Sequence, residues 1–291
     1  MKLAGLKSIE KAHEDSVWAA TWVPATEERP ALLLTGSLDE TVKVWRADEL
    51  DLVRTNTGHS LGVAAVAAHP SGIIAASSSL DSFGTILAVA GGSSASVKLW
   101  DTASWRLIST LSIPRPEAPK PSDKTTSKKF VLSVAWSPNG KRLACGSMDG
   151  TICVFDVDRS KLLHQLEGHN MPVRSLVFSP VDPRVLFSGS DDGHVNMHDA
   201  EGKTLVGSMS GHTSWVLSVD ASPDGGAIAT GSSDRTVRLW DLKMRAAIQT
   251  MSNHNDQVWS VAFRPPGGTG VRAGRLASVS DDKSVSLYDY S

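Results

Sequence analysis

The chain has 291 residues, of which 41% are hydrophobic and 21% charged, with a formal net charge of −2. That balance allows a sizeable folded core and excludes a disordered or collagen-like polymer. Without a net positive field, attraction to nucleic acid or to an acidic membrane surface is not expected.

The opening ten residues lack the apolar core of a secretory signal, and no later stretch reaches the ~18 apolar residues of a spanning helix, so a nucleocytoplasmic location is expected. A strand-like stretch over 6–10 comes first. Next come a histidine and an alternating apolar run, AHEDSVWAATW (12–22), and then TGSLDETVKVWRA (35–47), which reads as strand, tight turn, strand. The first kind of segment returns as GHSLGVAAVAAHP (58–70), GHNMPVRSLVFSP (168–180), GHTSWVLSVDASP (211–223) and NHNDQVWSVAF (253–263). The second returns without gaps as CGSMDGTICVFDV (145–157), SGSDDGHVNMHDA (188–200), TGSSDRTVRLWDL (230–242) and SVSDDKSVSLYDY (278–290). The turn acids Asp39, Asp81, Asp149, Asp192, Asp234 and Asp282 are spaced by 42, 68, 43, 42 and 48 residues. Each repeat supplies four short antiparallel strands, which is one blade of a β-propeller, and the N-terminal strand is expected to complete the last blade and close the ring.

The 68-residue interval breaks the period. It holds a second-half segment, AGGSSASVKLWDT (90–102), that lacks the acid. Between Asp81 and Ser94 the chain is some 29 residues short of one period, and after Ser94 some 13 too long. The surplus lies in 113–129, a Pro- and Lys-rich run expected to be an exposed loop. The shortfall lies near Phe83-Gly84, where about three strands are missing. The fold class is therefore an all-β propeller of six or seven blades with one irregular or incomplete blade near 80–95, in a single domain over 1–291.

The recurring histidine, hydroxyl and acid invite comparison with a hydrolase triad, but a nucleophile needs one activated base and an oxyanion site rather than similar copies around a ring. A buried relay is expected instead, from turn Asp to His, to Ser or Thr, to an indole N–H. Its members are His13, Thr35, Asp39 and Trp45; His169, Ser188 and Asp192, with His198 in the Trp position; His212, Thr230, Asp234 and Trp240; and His254, Ser278, Asp282 and Tyr288. Cys145 and Phe155 replace the hydroxyl and the Trp in another repeat. Cys145 and Cys153 read as reduced buried thiols, and His69, His164 and His194 as surface or turn residues. There is no P-loop, dinucleotide fingerprint, HExxH or GxSxG, and no enzyme, cofactor or metal is expected.

The residue after the valine that follows each repeat histidine is Trp18, Ala64, Leu132, Arg174, Leu217 or Trp259. Alternation puts these residues and those before the valine, Trp215 and Gln257 among them, on one side of the first strand; in a propeller such positions resemble those that ring the central channel on the binding face, with Leu38, Met148, Asp191 and Asp281 around them. Such a concentration of Trp, Arg, Leu and Met matches interaction hot spots, so the expected partner-binding set is Trp18, Leu132, Arg174, Trp215, Leu217, Trp259, Met148 and Asp191.

The histidine-led halves, the Leu-Trp-Asp endings and the 42-residue period resemble the WD40 repeat family across nearly the whole chain. AHEDSVWAATW, DDGHVNMHDAEGKTLVGSMSGHTSWVLSVDASPDG and HNDQVWSVAF look like the WD-repeat subunits shared by the superkiller and polymerase-associated factor complexes. SASVKLWDTASWRLISTLSIPRPEAPKP looks like their plant members. The resemblance implies a non-enzymatic scaffold, monomeric in itself, that grips short peptides of partner subunits on its top face, without direct nucleic-acid or membrane contact. The implied settings are transcription elongation, histone methylation and plant flowering-time expression in the nucleus, and exosome-linked mRNA decay in the cytoplasm. The alternative is a ubiquitin-ligase substrate adaptor or a reader of modified tails.

Overall fold

The computed structural model describes residues 1–25, 30–46, 49–68, 75–79, 89–90, 96–100, 107–113, 131–265 and 274–291. Among them every regular element is a strand. In chain order these begin with β1 (Leu3–Ile9), β2 (Val17–Val23), β3 (Leu32–Ser37), β4 (Val42–Arg46), β5 (Leu52–Asn56), β6 (Val63–Ala68), β7 (Ala75–Ser79), β8 (Val89–Ala90), β9 (Ser96–Trp100) and β10 (Leu107–Ser112). There follow β11 (Val131–Trp136), β12 (Arg142–Ser147), β13 (Ile152–Asp156), β14 (Lys161–Leu166), β15 (Val173–Phe178), β16 (Val185–Ser190), β17 (His194–Asp199) and β18 (Thr204–Ser210). The last are β19 (Val216–Ala221), β20 (Ala227–Ser232), β21 (Val237–Asp241), β22 (Ala246–Met251), β23 (Val258–Phe263), β24 (Gly274–Ser280) and β25 (Val285–Tyr290).

The strands form four-stranded antiparallel sheets β2-β3-β4-β5, β11-β12-β13-β14, β15-β16-β17-β18 and β19-β20-β21-β22, and a closing sheet β1-β25-β24-β23. These are the blades of an all-β propeller fold. β6-β7 is a pair and β8-β9-β10 a triple. The shortfall near Phe83-Gly84, Asp81, Ser94, His69 and the stretch 114–129 lie outside the described residues. Ile113, placed in that loop by its sequence, is instead buried with Val97, Leu111 and Val131, because it continues the inward face of β10.

Two compact units divide the chain, one of residues 1–86 and 211–291, the other of 87–210. In the first unit the closing sheet joins the two ends of the chain. β1 pairs along β25 from Leu3↔Tyr290 to Ile9↔Val285, and Lys2 and Ser291 exchange backbone hydrogen bonds of 2.7 and 3.1 Å. The strand begins at Leu3, earlier than the 6–10 read from the sequence, because Leu3 is buried among Ala227, Leu239 and Tyr288.

Sheets stack face to face, and each core is shared between neighbours. Trp22, Leu33 and Trp45 of the first sheet pack with Ala277, Val279, Val285 and Leu287 of the closing sheet. In the second unit, Leu143, Cys145, Cys153 and Phe155 pack with Val97 and Leu111, while Ala144, Ile152 and Val154 pack with Val173, Leu176 and Leu186. Second strands are therefore covered on both faces, as β3 and β20 are at every position, whereas outer strands such as β5 are exposed. This explains why second-strand segments read as continuous apolar runs rather than alternating ones. The glycine of each Thr/Cys-Gly-Ser run has a packing reason as well. A Cβ on Gly36, Gly146 or Gly231 would lie 2.6 to 2.8 Å from a methyl of Val63, Val173 or Val258 on the next sheet.

Candidate functional site

The relay forms as a chain of short contacts. In the first sheet, His13 Nδ1 bonds Asp39 Oδ2 at 2.9 Å, His13 Nε2 bonds Thr35 Oγ1 at 2.7 Å, and the Trp45 indole N–H donates to the same hydroxyl at 2.8 Å. His212, Asp234, Thr230 and Trp240 repeat the geometry at 2.8, 2.7 and 2.8 Å. In the closing sheet, His254 reaches Asp282 at 3.1 Å and Ser278 at 2.6 Å, and the Tyr288 hydroxyl stands in for the indole at 3.2 Å. His169 reaches Asp192 and Ser188, and His198 Nε2 lies 2.9 Å from Ser188 Oγ. His198 supplies the N–H that an indole would. Its buried Nδ1 has no partner among the described residues, and burial and then His169 push its pKa down to about 4, which keeps it neutral.

Burial alone would raise the turn acids, but hydrogen bonds outweigh it. Asp39 accepts from the Thr41 hydroxyl and backbone N–H, from the Glu14 N–H and from His13, and its pKa falls to about 2. Asp234 and Asp282 are lowered in the same way. These distances match those of a hydrolase triad, yet Thr35, Ser188, Thr230 and Ser278 are fully buried, and each hydroxyl is spent between histidine and a second donor. The constellation ties the loop before the first strand to the second and third strands of the same blade. It presents no nucleophile to solvent.

The face is built by a different device. In six first strands among the described residues the ladder slips by one residue, between Val17 and Ala19, Val63 and Ala65, Val131 and Ser133, Val173 and Ser175, Val216 and Ser218, and Val258 and Ser260. The skipped residues are Trp18, Ala64, Leu132, Arg174, Leu217 and Trp259. Each is the extra residue of a β-bulge, a feature that re-aims a side chain out of the pleat.

In the first unit, the rings of Trp18 and Trp259 meet at 5.2 Å with an interplanar angle of 36°, both half-buried, and the Trp18 indole N–H donates to Asp281 Oδ1 at 3.2 Å. Trp259 Nε1 is buried and has no hydrogen-bond partner among the described residues. Trp215 is 44% exposed and lines a surface cleft of about 530 Å³ with Ser233, Arg235, Asn255, Asp256 and Gln257. Leu217 does not belong to the exposed set: it is buried at 6%.

In the second unit, Leu132 and Met148 are exposed at 36% and 49%, and Met171, which the repeat pattern does not single out, is exposed at 42%. Arg174 is not a free cation. Its Nε and Nη2 fork onto both oxygens of Asp191 at 2.8 to 3.2 Å, and the Asp191 side chain is almost fully buried, so the pair neutralises itself. Arg235 was also missed by the sequence reading, because it follows the turn acid rather than the strand valine.

Among the other residues read from the sequence, Cys145 and Cys153 are buried thiols, not joined in a disulfide, that face each other across β12 and β13. His194 is half exposed and bonds within its own turn, and His164 bonds the Ala200 carbonyl.

Known proteins share this organisation. The family model described as "WD domain, G-beta repeat" matches residues 6–46, 50–101, 122–156, 160–199, 203–241 and 245–289. A "WD repeat-containing protein VIP3" of Arabidopsis thaliana is 88% identical, with all of both chains covered. That alignment runs over 321 positions, 30 more than this chain has residues. A "WD repeat-containing protein SL1-17" of Schistosoma mansoni is 33% identical over 69% of this chain and 72% of its own length. Members of the family are in general non-catalytic scaffolds that mediate protein–protein contacts, and with six repeat matches and a full-length relative the chain belongs to the WD40 repeat family.

Proposed function

We propose that this protein is a non-enzymatic scaffold subunit that binds peptides of partner proteins on the face carrying the first-strand bulges. In this reading it serves the polymerase-associated factor complex in the nucleus and the superkiller complex in the cytoplasm. The observation that carries the proposal is the aromatic set of the first unit, the Trp18–Trp259 pair and the 44%-exposed Trp215 beside a cleft. Large aromatic rings left in contact with water, two of them at bulges, are anchors for a partner rather than core. The full-length similarity to a WD repeat-containing protein supports the scaffold role, and the choice of complexes rests on the resemblance of AHEDSVWAATW, HNDQVWSVAF and SASVKLWDTASWRLISTLSIPRPEAPKP to the subunits those complexes share. The reader of modified tails is less well supported, since Arg174 is already matched by Asp191.

The test is co-purification from cells that express the tagged protein in place of the native one. Trp215→Ala combined with Trp259→Ala is expected to remove the subunits of both complexes while circular dichroism and the melting temperature stay close to those of the parent. Retention of both sets of subunits by the folded double variant refutes the proposal.

A further inference from the structure

The cleft beside Trp215 has a chemistry of its own. It lies between the loop before β19, the turn joining β20 to β21 and the loop before β23, all within the first unit. Its single cation is Arg235, an exposed residue whose guanidinium makes no hydrogen bond or ion pair among the described residues. Arg235 also occupies a left-handed backbone position, φ +70°, that Gly150 and Gly193 fill in two sister turns. A side chain there carries a conformational cost that glycine avoids. Lys283, in the same position of the closing sheet, uses its ammonium to hold the Glu14 carbonyl at 2.6 Å. No corresponding bond occupies Arg235.

A second donor stands beside it. The Ser233 hydroxyl donates to Gln257 Oε1 at 2.6 Å, which fixes the amide so that its NH2 group is the end left for a ligand. Asp256 is the one carboxylate in the lining, and its Oδ1 is taken by the Gln257 backbone N–H at 2.8 Å. One free cation, one amide donor and a partly engaged carboxylate suit a monoanion and disfavour a dianionic phosphate, which needs more positive charge to offset its desolvation. The exposed ring of Trp215 supplies an apolar wall next to them.

We infer that this cleft recognises an Asp or Glu side chain within a partner peptide, its carboxylate held by Arg235 and the Gln257 amide, with the neighbouring apolar side chain of the peptide packed on Trp215. The inference rests on the scaffold reading above and adds the chemistry of the partner.

The test is selection of a phage-displayed random-sequence peptide library on the intact protein. The selected pool is expected to be enriched in Asp or Glu next to an aromatic or aliphatic residue. The affinity of a selected peptide should fall about tenfold or more when its acid is changed to the amide, and equally on Arg235→Gly, the size of one lost charge-assisted contact. Glycine fits φ +70°, so that variant keeps its fold, which its melting temperature verifies. Arg235→Glu should reject the acidic peptide and accept the same peptide with Lys in place of the acid. A selected pool without acid enrichment, or unchanged affinity on Arg235→Gly, overturns the inference. Partner subunits that stay with the Trp215/Trp259 double variant count against the scaffold reading itself, so the two failures are distinguishable.

Discussion

Thr230→Val removes one hydroxyl from the best-formed relay and keeps the side-chain shape. Thr230 is fully buried, with His212 Nε2 at 2.7 Å and Trp240 Nε1 at 2.8 Å. The substitution leaves a buried acceptor on the histidine and a buried donor on the indole, and no water reaches either. At roughly 1–3 kcal/mol for each of the two unsatisfied buried groups, a loss of about 2–6 kcal/mol is expected. The internal comparison is Cys145→Val, at the same place in a repeat where Phe155 replaces the indole and no relay histidine exists. There the change affects packing and one weak thiol contact with Cys153, and the loss should stay under about 1.5 kcal/mol. Urea unfolding reads both, as a fall in midpoint at unchanged slope. If Thr230→Val costs no more than Cys145→Val, the relay does not hold the blades and the reasoning fails.

Two carboxylates should give the stability opposite responses to pH. Asp39 sits below its ordinary value, at about 2, so its contribution is complete above the unfolded pKa near 4 and is lost as pH falls toward 2. A shift of that size is worth about 2 kcal/mol, and Asp39→Asn should remove this part of the acid-induced fall in melting temperature; parallel curves for the two proteins would count against it. Asp220 is pushed up to about 7 by burial, against the N–H groups of Phe263 and Ala221 that its carboxylate accepts at 2.7 and 2.9 Å. Its folded value lies above its unfolded one, so its contribution is complete below about pH 4 and fades as pH rises through 7. Asp220→Asn should flatten that decline, and a decline of the same slope in the variant would show that Asp220 is not its source.

The relay could be read from the sequence because it recurs. Four copies of histidine, hydroxyl and turn acid at constant offsets leave few arrangements in which all of them are paired, and His198 and Tyr288 could be placed in the Trp position by alignment alone. The closing strand was legible for the same reason, since a repeat that ends at Tyr290 after three strands has one strand owing. The stretch around Phe83 could be recognised only as a deficit in the period, because nothing in those residues says which strands remain.

The face was harder to read, and Leu132 and Leu217 show why. Both are leucines, both follow the repeat valine, and both are the skipped residue of a bulge, yet one is exposed and the other buried. The bulge decides only that the side chain leaves the alternation of the strand. Whether it reaches water depends on what the neighbouring turn puts beside it, and that is a long-range property. Arg174 teaches the same lesson from the opposite side. Its position marks it as a recognition cation, but Asp191, seventeen residues on, consumes its charge, while Arg235, at a position the strand pattern never selects, keeps its own. Period-2 alternation locates the strands that carry the face. The residues free to bind are those whose local partners, Ser233 beside Gln257 and, among the described residues, none beside Arg235, leave donors for a ligand.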